Sequence, residues 1–203
     1  ALGDLYEIDM RLRPSGNSGL LVSTLAAFRE YQENAAWTWE HQALVRARSV
    51  CGDPDVAETF SAMRAETLTA ERDEAALVGE VRDMRDRMRG HLLSADGLES
   101  FDLKQGEGGI VDIEFLVQYA VLAWSHSHPA LAEWTDNVRI LEALAEAGLF
   151  TSDECERLRD AYLAYRSAAH ELALQQRDGV VEGGRFGAER DAVTAVWRRI
   201  LCH

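Results

Sequence analysis

The sequence predicts a mainly α-helical protein, a multi-helix bundle domain preceded by a short β-hairpin. Three observations carry this. Only three prolines occur in 203 residues, Pro14, Pro54 and Pro129, and the stretches between them are rich in the helix formers Ala, Leu, Arg and Glu. Strand-like alternation is confined to the first two dozen residues or so. The chain is 47% hydrophobic and 28% charged, a balance that supports a buried core.

The elements follow in order. In Leu5–Arg13 a strand puts Glu7, Asp9, Arg11 and Arg13 on one face and Tyr6, Ile8, Met10 and Leu12 on the other. Two readings stand for that charged face. It is an exposed edge with mutually paired charges, or it is a seat where Asp9 offers a hard oxygen to Mg²⁺ and the arginine forks meet phosphate. Arg13–Gly19 (RPSGNSG) reads as a turn, and Leu20-Leu21-Val22 as the returning strand of a hairpin. Ser23 or Thr24 caps a first helix through Ala26, Phe28 and Tyr31. A second is expected from Trp37 to Val50, with Trp37, Leu44, Val45 and Ala47 apolar and Glu40, His41, Arg46 and Arg48 on the other face. Cys51-Gly52-Asp53-Pro54 ends it and opens a third, Asp55–Thr67. The fourth, Glu74–Leu93, has Leu77, Val81, Met84, Met88 and Leu92 on one stripe and Arg82, Asp83, Asp86, Arg87 and Arg89 on its wet side.

Before the apolar helix Ile110–Trp124 lies a loop with Lys104 and glycines 106, 108 and 109. Its entry to a helix N-terminus is either an anion cradle or a plain flexible loop, and it lacks the Walker pattern. The helix carries Asp112, Glu114 and Gln118 in apolar surroundings. Buried carboxylates need partners, so these groups either bond to a neighbouring Arg or backbone, or line a cleft. Further helices are expected at Ala130–Trp134, Asp136–Ala147, Asp153–Gln176 and Glu189–Leu201, with Thr151 or Ser152 as a cap and a glycine-rich loop from Gly179 to Gly187. Trp37, Trp39, Trp124 and Trp134 are assigned to the core, and Trp197 is left open between core and surface.

The net charge of −14 argues against nucleic acid and anionic membranes as partners, because a phosphate backbone needs a basic footprint. No apolar run reaches the length of a membrane span. The first residues do not read as a signal peptide, since Gly3, Asp4, Glu7 and Asp9 fall where an apolar stretch belongs. Cys51, Cys155 and Cys202 are scattered without zinc spacing and suit a reducing, cytoplasmic setting. No Ser-His-Asp or Cys-His signature is present.

Four segments, YEIDMRLRPSGNSGLLV, AAFREYQENAAWTWEHQALVRAR, FDLKQGEGGIVDIEFLVQY and WTDNVRILEAL, together resemble the C-terminal, adenylylating half of the bifunctional glutamine synthetase adenylyltransferase/deadenylylating enzymes. The resemblance implies a nucleotidyltransferase of the polymerase-β-like superfamily, with a Gly-Ser turn, an Asp-x-Asp pair and a third carboxylate. Asp9 matches that third carboxylate. The Gly-Ser and Asp-x-Asp part is missing here, and Asp53-Pro54-Asp55 sits at a helix junction instead. The expectation is a fragment, inactive alone: residues 1–35 the tail of an α+β catalytic core, residues 36–203 the all-helical domain that follows it.

In the whole enzyme the resemblance implies transfer of AMP from ATP to a tyrosine of glutamine synthetase, with Mg²⁺ held in part by Asp9. Asp9, Arg11 and Arg13 form the catalytic set, and Arg46, Arg48 and Lys104 are the candidate triphosphate contacts. PII protein and glutamine are implied as regulators. The alternative is a helical docking module for glutamine synthetase or PII protein with no chemistry of its own. The WTWEHQALVRAR and WTDNVRILEAL segments argue against a PII uridylyltransferase.

Overall fold

A computed structural model describes residue 10, residues 13–92 and residues 100–202. At its centre lies α5 (Ile110–Trp124). This helix is apolar on nearly every face, and such a helix is stable only inside a shell of others. That shell is α2 (Thr38–Val45), α4 (Glu74–Leu92), α6 (Asn137–Glu146), α7 (Ser152–Leu174) and α8 (Gly187–Leu201). Helices α1 (Leu25–Asn34) and α3 (Pro54–Leu68) pack on each other, and α3 also packs on α2, forming an outer layer on one flank.

Helix ends follow local chemistry. Thr24 caps α1 and Asp53 caps α3, the latter with Pro54 in its first turn. Thr151 and Glu154 form a reciprocal capping box on α7. Gly148 takes a left-handed φ of 69° just beyond α6. The second helix is shorter than its sequence suggests, stopping at Val45 rather than Val50. The buried Arg64 of α3 takes the carbonyls of Leu44 (3.0 Å) and Val45, and reaches Ala132 and Trp134 as well. One guanidinium thus closes α2 and ties it to the 3-10 turn Pro129–Ala132.

Among the described residues the molecule is mainly α with one short antiparallel strand pair. β1 (Ser100–Asp102) and β2 (Val180–Glu182) pair antiparallel, with Phe101 opposite Val181. Leu20–Val22 is not a strand. It follows a 3-10 turn at Gly16–Ser18, and its side chains stand 81, 64 and 81% exposed. A strand needs a neighbour for its N–H and C=O groups, and none lies beside it among the described residues. The proposed first strand falls almost wholly outside them.

Of the four tryptophans assigned to the core, Trp124 packs edge-on against Tyr119 and Phe150, and Trp39 is half-buried. Trp134 lies on the surface beneath the Arg139 guanidinium. Trp37 is 69% exposed because it sits at the N-cap of α2, outside the helix's packed face.

Candidate functional site

The turn after Arg13 is held onto the helices by a relay of hydrogen bonds. Ser15, with a left-handed φ of 61°, donates its N–H to the Tyr31 hydroxyl at 3.0 Å. Tyr31 donates to Glu40 Oε1 at 2.7 Å, and Glu40 Oε2 accepts the Trp37 N–H at 2.9 Å. Glu40 is therefore buried rather than on the solvent face its helical position suggests. Burial, with the neighbouring Glu40, pushes the Tyr31 phenol above its ordinary value, so it stays a donor.

This anchoring sets Arg13 at the rim of a groove of about 360 Å³ between the turn and helices α1, α2 and α3. Phe28, Ala43, Leu44, Ala47 and Phe60 form its apolar wall, and Arg13, Gln32, Glu40 and Arg46 are its polar members. Arg13 is fixed by carbonyls: Nη1 donates to Met10 O at 2.7 Å and Nε to Gly19 O at 3.3 Å. Carbonyls orient a guanidinium without cancelling its charge, so Arg13 remains a preorganised cation. Arg46 is paired with Glu114 of α5 at 2.8 Å. Gln32 is buried, and its Oε1 has no hydrogen-bond partner among the described residues.

The glycine-rich loop is built differently from an anion cradle. Its N–H groups are already used: Gly106 on Asp102 O, Gly109 on Gly106 O, Ile110 on Leu103 O, and Gly108 on Asp112 Oδ2. The glycines are there for closeness, since a Cβ on Gly106 would lie 2.6 Å from Asp102 O and 2.7 Å from the Phe101 ring. Asp112 also takes Arg85 Nε and Arg89 Nη2, each at 2.6 Å. The α5 polar groups are thus glue between helices, with Gln118 reached by Gln42 at 3.4 Å. Burial pushes the Arg85 guanidinium below its ordinary value, and Asp112 opposes that shift. Arg85 was absent from the sequence-derived candidates. Its signal was there: it falls in step with Leu77 and Val81 on the buried stripe, where only a carboxylate partner makes a guanidinium tolerable.

Of the sequence-derived site residues, the structure brings Arg13 and Arg46 to one groove. Arg48 and Lys104 are exposed and are not among that groove's lining residues. Asp9 and Arg11 lie outside the described residues. No group of three or more His, Cys, Asp or Glu among the described residues is arranged to hold a metal ion.

Comparison with known proteins gives the context. The bifunctional glutamine synthetase adenylyltransferase/adenylyl-removing enzyme of Pseudomonas aeruginosa is 57% identical over 209 residues, covering 98% of this chain. That of Nitrosococcus oceani is 58% identical over 199 residues, again covering 98%. The chain belongs to the glutamine synthetase adenylyltransferase family. It spans about a fifth of these relatives' length, 21% and 20% respectively. The Mannheimia haemolytica relative is 48% identical with the same reach, 98% of this chain and 21% of its own. The glutamate–ammonia ligase adenylyltransferase family model matches residues 1–63, which contain the turn, α1, α2 and both groove arginines. A PII-uridylyltransferase family model matches residues 79–179, most of the helical shell around α5. No helix among the described residues is long and apolar enough to cross a membrane.

Proposed function

We propose that this chain is the part of a glutamine synthetase adenylyltransferase that grips the donor nucleotide, in an enzyme moving AMP from ATP to a tyrosine of glutamine synthetase. The observation behind this reading is the meeting of Arg13 and Arg46 at one groove within the stretch matched by the adenylyltransferase family model. Residues 1–35 belong to the catalytic core and residues 36–203 to the all-helical domain that follows it. Asp9 activates the tyrosine hydroxyl or joins the metal site, with Arg11 and Arg13 stabilising phosphate charge. Arg46, Arg48 and Lys104 contribute further cations. Asp9 is the one residue here assigned to Mg²⁺, which would neutralise triphosphate charge when bound. PII protein and glutamine regulate the reaction, and the enzyme works in the cytoplasm.

The acceptor hydroxyl forms a bond to the α-phosphorus as the bond to pyrophosphate breaks. Charge moves onto the leaving oxygens, and fixed guanidiniums stabilise that change at little reorganisation cost. In the full-length enzyme, Arg13→Ala should lower kcat/KM for AMP transfer roughly 10²–10³-fold, the scale of a lost preorganised donor. The assay is incorporation of labelled AMP into glutamine synthetase. An Arg13→Ala enzyme with wild-type kinetics removes Arg13 from the donor site.

A second reading concerns the helical part as a docking surface, and Trp37 favours it. This exposed ring borders a groove of about 340 Å³ with Trp39, Glu80, Asp83, Met84 and Arg87. Exposed Trp beside a concave surface is the composition of a protein-binding anchor. Trp37→Ala should weaken binding of glutamine synthetase or PII protein to the full-length enzyme, read by titration calorimetry.

A further inference from the structure

The groove beside Arg13 and Arg46 holds more than two cations, and its other members resemble a base-recognition site. We infer that Gln32 reads the adenine ring of the nucleotide donor, with Phe28 and Phe60 as the apolar bed for that ring; this rests on the donor-site reading above.

Three features point to it. The wall is apolar and aromatic, with the Phe28 and Phe60 rings 5.8 Å apart and tilted at 47°. A flat heteroaromatic ring gains from such a surface whatever its sequence context. Arg46 is already paired with Glu114 and the Glu40 carboxylate lines the same groove, so Arg13, held by carbonyls, is the cation left to meet the anionic tail of a ligand whose apolar plane lies on the wall. Gln32, on the buried side of α1, is 8% exposed, and its Oε1 lacks a hydrogen-bond partner among the described residues. An unpaired buried amide oxygen carries a desolvation cost that a ligand donor removes.

The chemistry selects the base. Adenine presents a 6-amino donor beside a ring-nitrogen acceptor, and a carboxamide complements both. The Gln32 backbone is already committed, because its carbonyl accepts from His41 Nε2 at 3.1 Å. That bond pins α1 at this point and leaves the side chain as the movable part. Its oxygen is covered in the structure, and the amide can turn about its terminal sp³–sp² torsion, which has broad minima.

The test compares donors in the full-length enzyme. AMP or analogue transfer to glutamine synthetase is measured with ATP and with purine riboside 5′-triphosphate, which lacks the 6-amino group. Wild type should prefer ATP about tenfold or more in kcat/KM, the order seen when a buried polar group loses its partner. Gln32→Leu should raise KM for ATP and bring that preference close to one. Equal use of both donors by wild type overturns the inference, as does an unchanged preference in Gln32→Leu.

Photolabelling of wild type with 8-azido-ATP, followed by peptide mapping, reads base placement without any substitution and covers the case of a Gln32→Leu enzyme that does not fold. Label on peptides containing Phe28 or Ala47 supports the inference, and label confined to other peptides overturns it. Absence of any AMP transfer by wild type counts against the donor-site reading itself. The labelling still decides whether the groove takes the base.

Discussion

Asp112 accepts from two arginines and one backbone N–H while being 1% exposed, so one carboxylate ties α4 to the start of α5. Removing it leaves the fully buried Arg85 without its charge partner, and breaking a buried pair from one side costs about 3–5 kcal/mol. Asp112→Ala should lower the unfolding free energy of the chain by that amount, read as a lower urea midpoint with the slope unchanged. A midpoint within about 0.5 kcal/mol of wild type would show that the site relaxes or takes in water. The sequence exposed half of this arrangement. A carboxylate in an apolar helix must have a partner, but which arginine serves depends on how α4 rotates against α5, a tertiary fact. Arg13 and Arg46 were legible as cations in the same way, whereas their shared groove depends on the Ser15–Tyr31–Glu40 relay between separate elements.

His41 gives the pH dependence at this scale. Burial first, then the nearby Arg72, hold its imidazole below its ordinary value of 6.5, against the bond to the Gln32 carbonyl and the attraction of Glu40. The unfolded chain then binds the proton more readily than the folded one. The stabilisation is complete above pH 6.5 and is lost as pH falls through that value toward the folded pKa. Thermal unfolding from pH 7.5 down to 5 should show a falling midpoint, and His41→Gln should flatten that slope. Equal slopes in the two proteins would assign the effect elsewhere.

At the scale of elements, the capping box of α7 is the clearest local device. Thr151 Oγ1 accepts the Glu154 N–H at 3.2 Å, and Glu154 returns to the Thr151 N–H at 2.9 Å. Arg199 of α8 also binds Glu154 at 2.7 Å, so the box doubles as a clamp between two helices. Thr151→Ala should cost about 0.5–2 kcal/mol, read as a shift in the denaturation midpoint. Helices such as α5 and α7 were readable because caps and apolar period act within one segment. The two strands were not, because their pairing joins Phe101 to Val181 across most of the helical shell. The early end of α2 was hidden for the same reason, since its stop signal is Arg64 on the next helix.

At the scale of the molecule, the surface is uneven in a way that composition does not show. Leu20, Leu21 and Val22 form an uninterrupted apolar run in solvent, while the helices behind them bury theirs. Contiguous exposed apolar residues mark an interaction surface, and the chain spans only about a fifth of its relatives' length. The expected cover is the rest of the same polypeptide. Hydrogen exchange at the amides of residues 20–22 should therefore slow at least about tenfold in the full-length enzyme relative to this chain, because opening would first have to detach the covering segment. Leu20→Ser with Val22→Ser should leave the chain's own unfolding midpoint within about 0.5 kcal/mol, since little burial is lost. The same pair should raise exchange of these amides in the full-length enzyme. Identical exchange in both proteins would mean that the run stays in water.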